Sequence, residues 1–311
     1  MALLKQFASE VSFLKTMITN MRSLLAVLLG SVAVCVSNAG AADLQKPAEG
    51  KRIRVFIFAG QSNMEGRADG TKLSAKDEAR LLQAQKRIQL AYNRQPLRPL
   101  DSVSPPDDIR EIYKVDRIFG PELFFGLSMA EAWPDEKMLF IKRAVGSTSM
   151  YGCWNPNWSA EKAAVLKEEN EPRLYSDMIA YVKELLSGYA PDQYEICGMF
   201  WVQGESDGKS HTAAAAYGEN LRALIEGVRK EVGNRELPFA LLQVGNLKVV
   251  EGMKQTAQDV PNVSLLTQSA DPASPEFLPT IPNGHYNHEG MKRIGDRFAK
   301  TFLNQYKNKT K

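Results

Sequence analysis

Residues 53–60 read Ile-Arg-Val-Phe-Ile-Phe-Ala-Gly, and this run constrains the fold more than any other stretch. It is short, nearly all apolar and closed by a glycine. A strand with one wet face alternates apolar and polar residues. A strand that is apolar throughout is covered on both faces, as in a parallel sheet between helices. The chain then turns polar at once with Gln61, Ser62 and Asn63. Carboxyl ends of such strands are where open α/β sheets bind ligands.

Further strands are predicted at Met138–Lys142, Ile196–Val202, Phe239–Val244 and Val263–Thr267, with the first at Arg54–Ala59. Helical stripes lie between and after them. Ile179, Val182, Leu185 and Leu186 form one, behind Ser176 as an N-cap. Tyr217, Leu221, Leu224, Ile225 and Val228 form a second, and Met291, Ile294, Phe298 and Phe302 the last. Alternating β and α units imply a parallel sheet with helices on both faces. Residues 67–120 are irregular, with Pro96, Pro99, Pro105 and Pro106. They are expected to be an insertion over the sheet edge, helical around Ala75–Leu90 and then loop.

The amino terminus reads as a secretion signal of 41 residues. Met21-Arg22 gives a positive start, and Met21 is an alternative initiator. Leu24 to Val36 is apolar but too short to span a bilayer, and Ala39-Gly40-Ala41 is a small-residue cleavage site. A secreted or periplasmic protein follows, with residues 42–311 as one domain and no stable membrane insertion. The whole chain carries a net charge of +3. Without residues 1–41 it carries about +1, since they hold Lys5, Lys15 and Arg22 against Glu10. That balance makes no electrostatic case for nucleic acid. Cys35 leaves with the signal. Cys153 and Cys197 sit near opposite ends of predicted strands, too far apart to pair, so buried free thiols are expected.

The strand ends carry the chemistry. The first ends in Gly60-Gln61-Ser62-Asn63, the second in Ala144-Val145-Gly146-Ser147-Thr148, and the third in the run Phe200 to Asp207, "FWVQGESD". Just before the last helix stands "NGHYNHEGM", Asn283 to Met291. Acyl transfer needs these residue types: a serine as nucleophile, a histidine to take its proton, and amide donors to hold an oxyanion. Each has a plainer alternative. Ser62 also fits a helix cap, and Gln203 a polar loop residue. His285 also fits a surface histidine; His211 and His288 are expected to face water, and His285 is the best candidate for a base by position. His285 and His288 lack the cysteines or clustered carboxylates that would complete a metal site. Tyr151, Trp154 and Trp158 suit either stacking on a sugar or packing.

The segments "GQSNM", "WVQGESD" and "GHYNHEG" together resemble the SGNH hydrolase superfamily, and within it the carbohydrate O-acetylesterases. These include the family-six acetylxylan esterases and the sialate O-acetylesterase-like proteins. The resemblance covers nearly all of the chain after the signal. It implies a three-layer α/β/α sandwich with a flavodoxin-like parallel sheet, and no metal or cofactor. It implies Ser62 as nucleophile and His285 as base. The oxyanion hole would be formed by the N–H groups of Ser62 and Gly146 and the side chain of Gln203. Gln61, Asn63, Glu205 and Asp207 would support these groups, and an acetylated carbohydrate would be the substrate.

Two departures stand out. Ser147 occupies a place where relatives often have a second glycine. Relatives also commonly carry an aspartate three residues before the histidine, whereas Pro282 stands there. A backbone carbonyl or a carboxylate such as Asp271, Glu276 or Glu289 could orient His285 instead. The departure leaves two readings open: a secreted esterase that releases acetate, and a glycan-binding protein on the same scaffold.

Overall fold

The computed structural model describes residues 50–309. The predicted signal, with Met21 and Cys35, lies outside the described residues. Nine strands follow in chain order: β1 (Ile53–Gly60), β2 (Ala68–Asp69), β3 (Ile88–Tyr92), β4 (Arg98–Pro99), β5 (Ile118–Phe119), β6 (Met138–Ala144), β7 (Tyr194–Val202), β8 (Phe239–Leu242) and β9 (Val263–Leu266). Seven form one sheet in the order β4-β3-β6-β1-β7-β8-β9, while β2 and β5 make a separate short pair. Every neighbour in the large sheet is parallel except β3 with β4.

Read in chain order, β6-β1-β7-β8-β9 is the flavodoxin-like sequence 2-1-3-4-5. The chain leaves β1, passes to β6 on one side, and then crosses to β7 on the other. That reversal falls at the carboxyl ends of β1, β6 and β7, where sheets of this kind bind ligands. The five strands expected from the apolar runs are all present.

The helices cover both faces, and adjacent residues of β7 show it. Phe200 points into a layer with Phe58, Phe125 and Phe298, stacked on Phe58 at 4.9 Å between ring centres. Phe125 belongs to the helix Pro121–Ala132 and Phe298 to the final helix, His288–Lys309. Trp201 points the other way. It packs edge-on to Trp154 at 5.1 Å, and its indole N–H donates to Tyr217, at the start of the helix Tyr217–Glu231.

Residues 67–120 differ from expectation. The helix there stops at Ala84, and Ile88–Tyr92 continues as β3, hydrogen-bonded along β6. The apolar side chains Ile88 and Leu90 flank Gln89 in strand alternation, and β6 supplies the ladder that overrides the helical reading. This segment is therefore built into the sheet edge through β3 and β4, and it also holds a helix at Asp107–Tyr113. A smaller correction concerns Ser176. The helix Leu174–Leu186 begins ahead of it, and its hydroxyl donates to the carbonyl of Arg173 rather than capping. Cys153 and Cys197 are both free and buried.

Candidate active site

The end of β1 is shaped by Gly60. Its φ is +149°, and a Cβ there would lie 2.1 Å from the carbonyl oxygen of Val202. Only a residue without a side chain lets β1 turn this close to β7. The turn delivers Ser62 as the first residue of a one-turn helix, Ser62–Glu65. Its N–H is among the first-turn donors that have no acceptor within their own helix.

His285 meets Ser62 from the far end of the chain, with Nε2 at 2.9 Å from Oγ. A tight turn presents the histidine. Gly284 N–H donates to the carbonyl of Ile281, and Ile281 N–H donates to the carbonyl of His285. Pro282 sits exposed at the second position of that turn, where its fixed φ is favourable. Other groups stand beside the ring nitrogen that an aspartate would face. Nδ1 of His285 lies 3.1 Å from Asn283 Oδ1 and 3.1 Å from the hydroxyl of Tyr113. Burial and the positive charge of Arg67 push the imidazole down to about 4, so the ring is neutral near pH 7.

Gly146 lies beside Ser62, since a Cβ on it would be 3.7 Å from Ser62 Cβ. Ser147, next to it, has φ +61°, the left-handed region that a glycine enters without cost. The departure at that position is thus accommodated in a glycine-like conformation.

Gln203 directly follows β7 and is fully buried. Three acceptors surround its Nε2: Asp207 Oδ2 at 2.6 Å, the Thr148 carbonyl at 3.0 Å and Gln61 Oε1 at 3.3 Å. Three acceptors around one atom identify it as the nitrogen. Asp207 also accepts the N–H groups of Met150 and Tyr151, so it ties the loop after β6 to the loop after β7. Burial pushes the Asp207 carboxyl up to about 7, against the three donors that favour its ionised form. Asn63 makes the corresponding tie to the histidine turn. Its Nδ2 donates to Glu205 Oε1 at 2.8 Å, and its Oδ1 accepts from the N–H of Tyr286 at 3.2 Å. Burial raises the Glu205 carboxyl.

Residues 52–304 match the family model described as carbohydrate esterase, sialic acid-specific acetylesterase. The chain belongs to that family. It is therefore a carbohydrate acetylesterase by descent, and the fold agrees. A protein of Arabidopsis thaliana is similar at 20% identity and TM-score 0.59, over 82% of this chain and 99% of that one. The solved structure of NanS is similar at 15% identity and TM-score 0.57, over 84% of this chain and 100% of that one. A carbohydrate acetylesterase of Xanthomonas citri is similar at 18% identity and TM-score 0.53, over 80% of this chain and 55% of that one. At these identities the likeness is one of fold. Among curated protein sequences, none matches this chain.

The esterase carries further site residues that its motifs do not announce. Arg67 is buried, with Nη2 on Glu65 Oε2 at 2.8 Å and Nη1 on the Gly66 carbonyl at 2.6 Å. Its guanidinium carbon lies 5.4 Å from the centre of the Tyr113 ring. Lys142 is fully buried on Glu122 Oε2 at 2.6 Å and on the carbonyl of Glu65 at 3.1 Å, at the end of the helix Ser62–Glu65. Glu168 accepts from the N–H and hydroxyl of Ser149 and from the N–H of Cys153, which shapes the loop after Gly146. The position of Arg67, two residues after Glu65 in a glycine turn, was a usable signal for a local pair. Tyr113 had no signal, because its segment carries no motif.

Other expectations resolve individually. Trp154 is buried against Trp201 and is packing. Trp158 lies under the guanidinium of Arg173 at 3.7 Å. His211 is exposed, as expected. His288 is not a water-facing residue: it packs edge-on to Phe119 and Phe124, behind Asn287, which accepts from the N–H of Gly290. Among the described residues, no group of three or more His, Cys, Asp or Glu side chains is arranged to hold a metal, and no helix is long and apolar enough to cross a membrane.

Proposed function

We propose that this esterase removes O-acetyl groups from carbohydrates through a covalent acetyl-enzyme on Ser62. The observation that carries this is the 2.9 Å contact between Ser62 Oγ and His285 Nε2 at the reversal point of the sheet. Ser62 Oγ attacks the acetyl carbonyl carbon while His285 Nε2 takes its proton. The tetrahedral oxyanion is held by the N–H groups of Ser62 and Gly146. Gln203 contributes an amide hydrogen by releasing the one that Thr148 and Gln61 share at 3.0 and 3.3 Å, the other staying on Asp207 at 2.6 Å. The intermediate collapses, the C–O bond to the sugar breaks, and the imidazolium returns its proton to the departing alkoxide. Water, deprotonated by His285, then attacks the acetyl-serine and releases acetate. Gln61, Asn63, Glu205 and Asp207 act by holding these three loops in register. The sugar is an O-acetylated carbohydrate, and the family description points to sialic acid first. Residues 1–41 read as a secretion signal, which would place the enzyme in the periplasm or outside the cell, where such sugars occur.

The test is acetate release from a chromogenic acetyl ester and from acetylated sugars, by wild type, Ser62→Ala and Gln203→Ala. Ser62→Ala should lose at least about 10⁴-fold in kcat with an unchanged melting temperature. Gln203→Ala should lose about 10²–10³-fold in kcat with little change in KM. Turnover by folded Ser62→Ala at the wild-type rate would remove the acyl-enzyme, and a Gln203 effect confined to KM would reassign that residue to substrate binding.

A further inference from the structure

We propose that Tyr113 is a positioning residue for the base: with Asn283 it takes the place of the aspartate in a Ser-His-Asp site. The inference rests on the reading of Ser62 and His285 as nucleophile and base.

The hydrogen-bond inventory around His285 decides the tautomer. Asn283 Oδ1 faces both the ring Nδ1 at 3.1 Å and the backbone N–H of His285 at 3.4 Å. An atom approached by a backbone donor is the carbonyl oxygen of the amide, which cannot donate. Nδ1 must then carry the proton, and the hydroxyl of Tyr113, also at 3.1 Å, accepts from it. This leaves the lone pair of Nε2 directed at Ser62, the state a general base requires.

Asn283 alone is a poor anchor. It is exposed, on a turn whose next residue is Gly284 at φ +84°. Tyr113 is half-buried and fixed on both sides. Its ring stands edge-on to His285 at 5.6 Å and 89°, and the Arg67 guanidinium covers it. Arg67 is held in turn by Glu65 and Gly66, directly behind the nucleophile. The contacts run in a closed circuit from Ser62 through its helix to Arg67, Tyr113, His285 and back to Ser62. Nucleophile and base, 223 residues apart in the chain, are thus referenced to one another by side chains as well as by the sheet.

The test compares Tyr113→Phe, Asn283→Ala, the double variant and Ser62→Ala. Tyr113→Phe keeps the ring and removes the hydroxyl. Misorientation of a base costs up to about 10⁴-fold, and two acceptors share the task here. Each single variant should therefore lose about ten- to a hundredfold in kcat, with KM within about threefold and an unchanged melting temperature. The double variant should lose more than either. Nitrogen-15 NMR of the His285 ring should show Nδ1 protonated in wild type, and a mixed tautomer in the double variant. If Tyr113→Phe stays within about twofold of wild type while Ser62→Ala is dead, the positioning role is overturned and the esterase mechanism stands. A loss confined to KM in Tyr113→Phe also overturns it, by making the hydroxyl a substrate contact. Activity in Ser62→Ala would instead sink the underlying mechanism.

Discussion

At the scale of single residues, the site departs most from a serine hydrolase with a carboxylate in the charge on its base. His285 has no carboxylate on Nδ1 and feels the positive field of Arg67, itself paired with Glu65. Burial first, and then that field, disfavour its protonated form, to about 4. A carboxylate neighbour would shift it the other way. The base is therefore competent at any pH above that value. The acid limb of kcat/KM, which reports the free enzyme, should fall with a midpoint near 4. A limb near 6.5, the ordinary histidine value, would refute this account of the site. The same shift enters stability with a definite sign. The folded ring resists protonation that the unfolded chain accepts. Its contribution is present above the unfolded value and is lost as pH falls from about 6.5 towards 4.

At the scale of elements, the nucleophile helix is too short to hold itself, since one turn has little internal hydrogen bonding. It is seated on the Lys142–Glu122 pair, whose ammonium also reaches the carbonyl of Glu65. Burial pushes the Lys142 ammonium down, and Glu122 is the main charge opposing this. Removing one member leaves the other charge buried without a partner. Lys142→Met should therefore cost about 3–5 kcal/mol in a denaturant titration, because Glu122 is left uncompensated. The double variant Lys142→Met with Glu122→Leu should recover much of that loss, since replacing both members with apolar groups is often nearly neutral. A single variant as stable as wild type would mean that the pair contributes nothing to the seat of the helix.

At the scale of the molecule, the segment 67–120 is structural as well as functional. It supplies β3 and β4 to the sheet edge and Tyr113 to the base. Deleting it should yield a protein that fails to fold, with β6 left as an uncovered apolar edge. A folded deletion variant with altered sugar preference would instead restore the view of this segment as a dispensable specificity loop.

Local features are legible in a sequence, and non-local ones are not. The five core strands could be read from the chain, while the flavodoxin-like order came with the resemblance carried by the motifs around Ser62, Gln203 and His285. Burial on both faces imposes a continuous apolar run, and glycine is demanded where β1 turns against β7 at Gly60. These are local requirements, written where they act. β3 reads as helix from its own residues because its pairing with β6 is non-local and its alternation is brief. The partners of Nδ1 could not be read from spacing. Asn283 lies one residue away from the usual aspartate position, and Tyr113 arrives from 172 residues distant, on a helix with no motif. The sequence by itself determined the chemical groups and the strand ends that carry them. The tertiary structure alone decided which groups face His285, because a neutral orienting contact needs only an oxygen at the right place in space, and many residues anywhere in the chain can provide one.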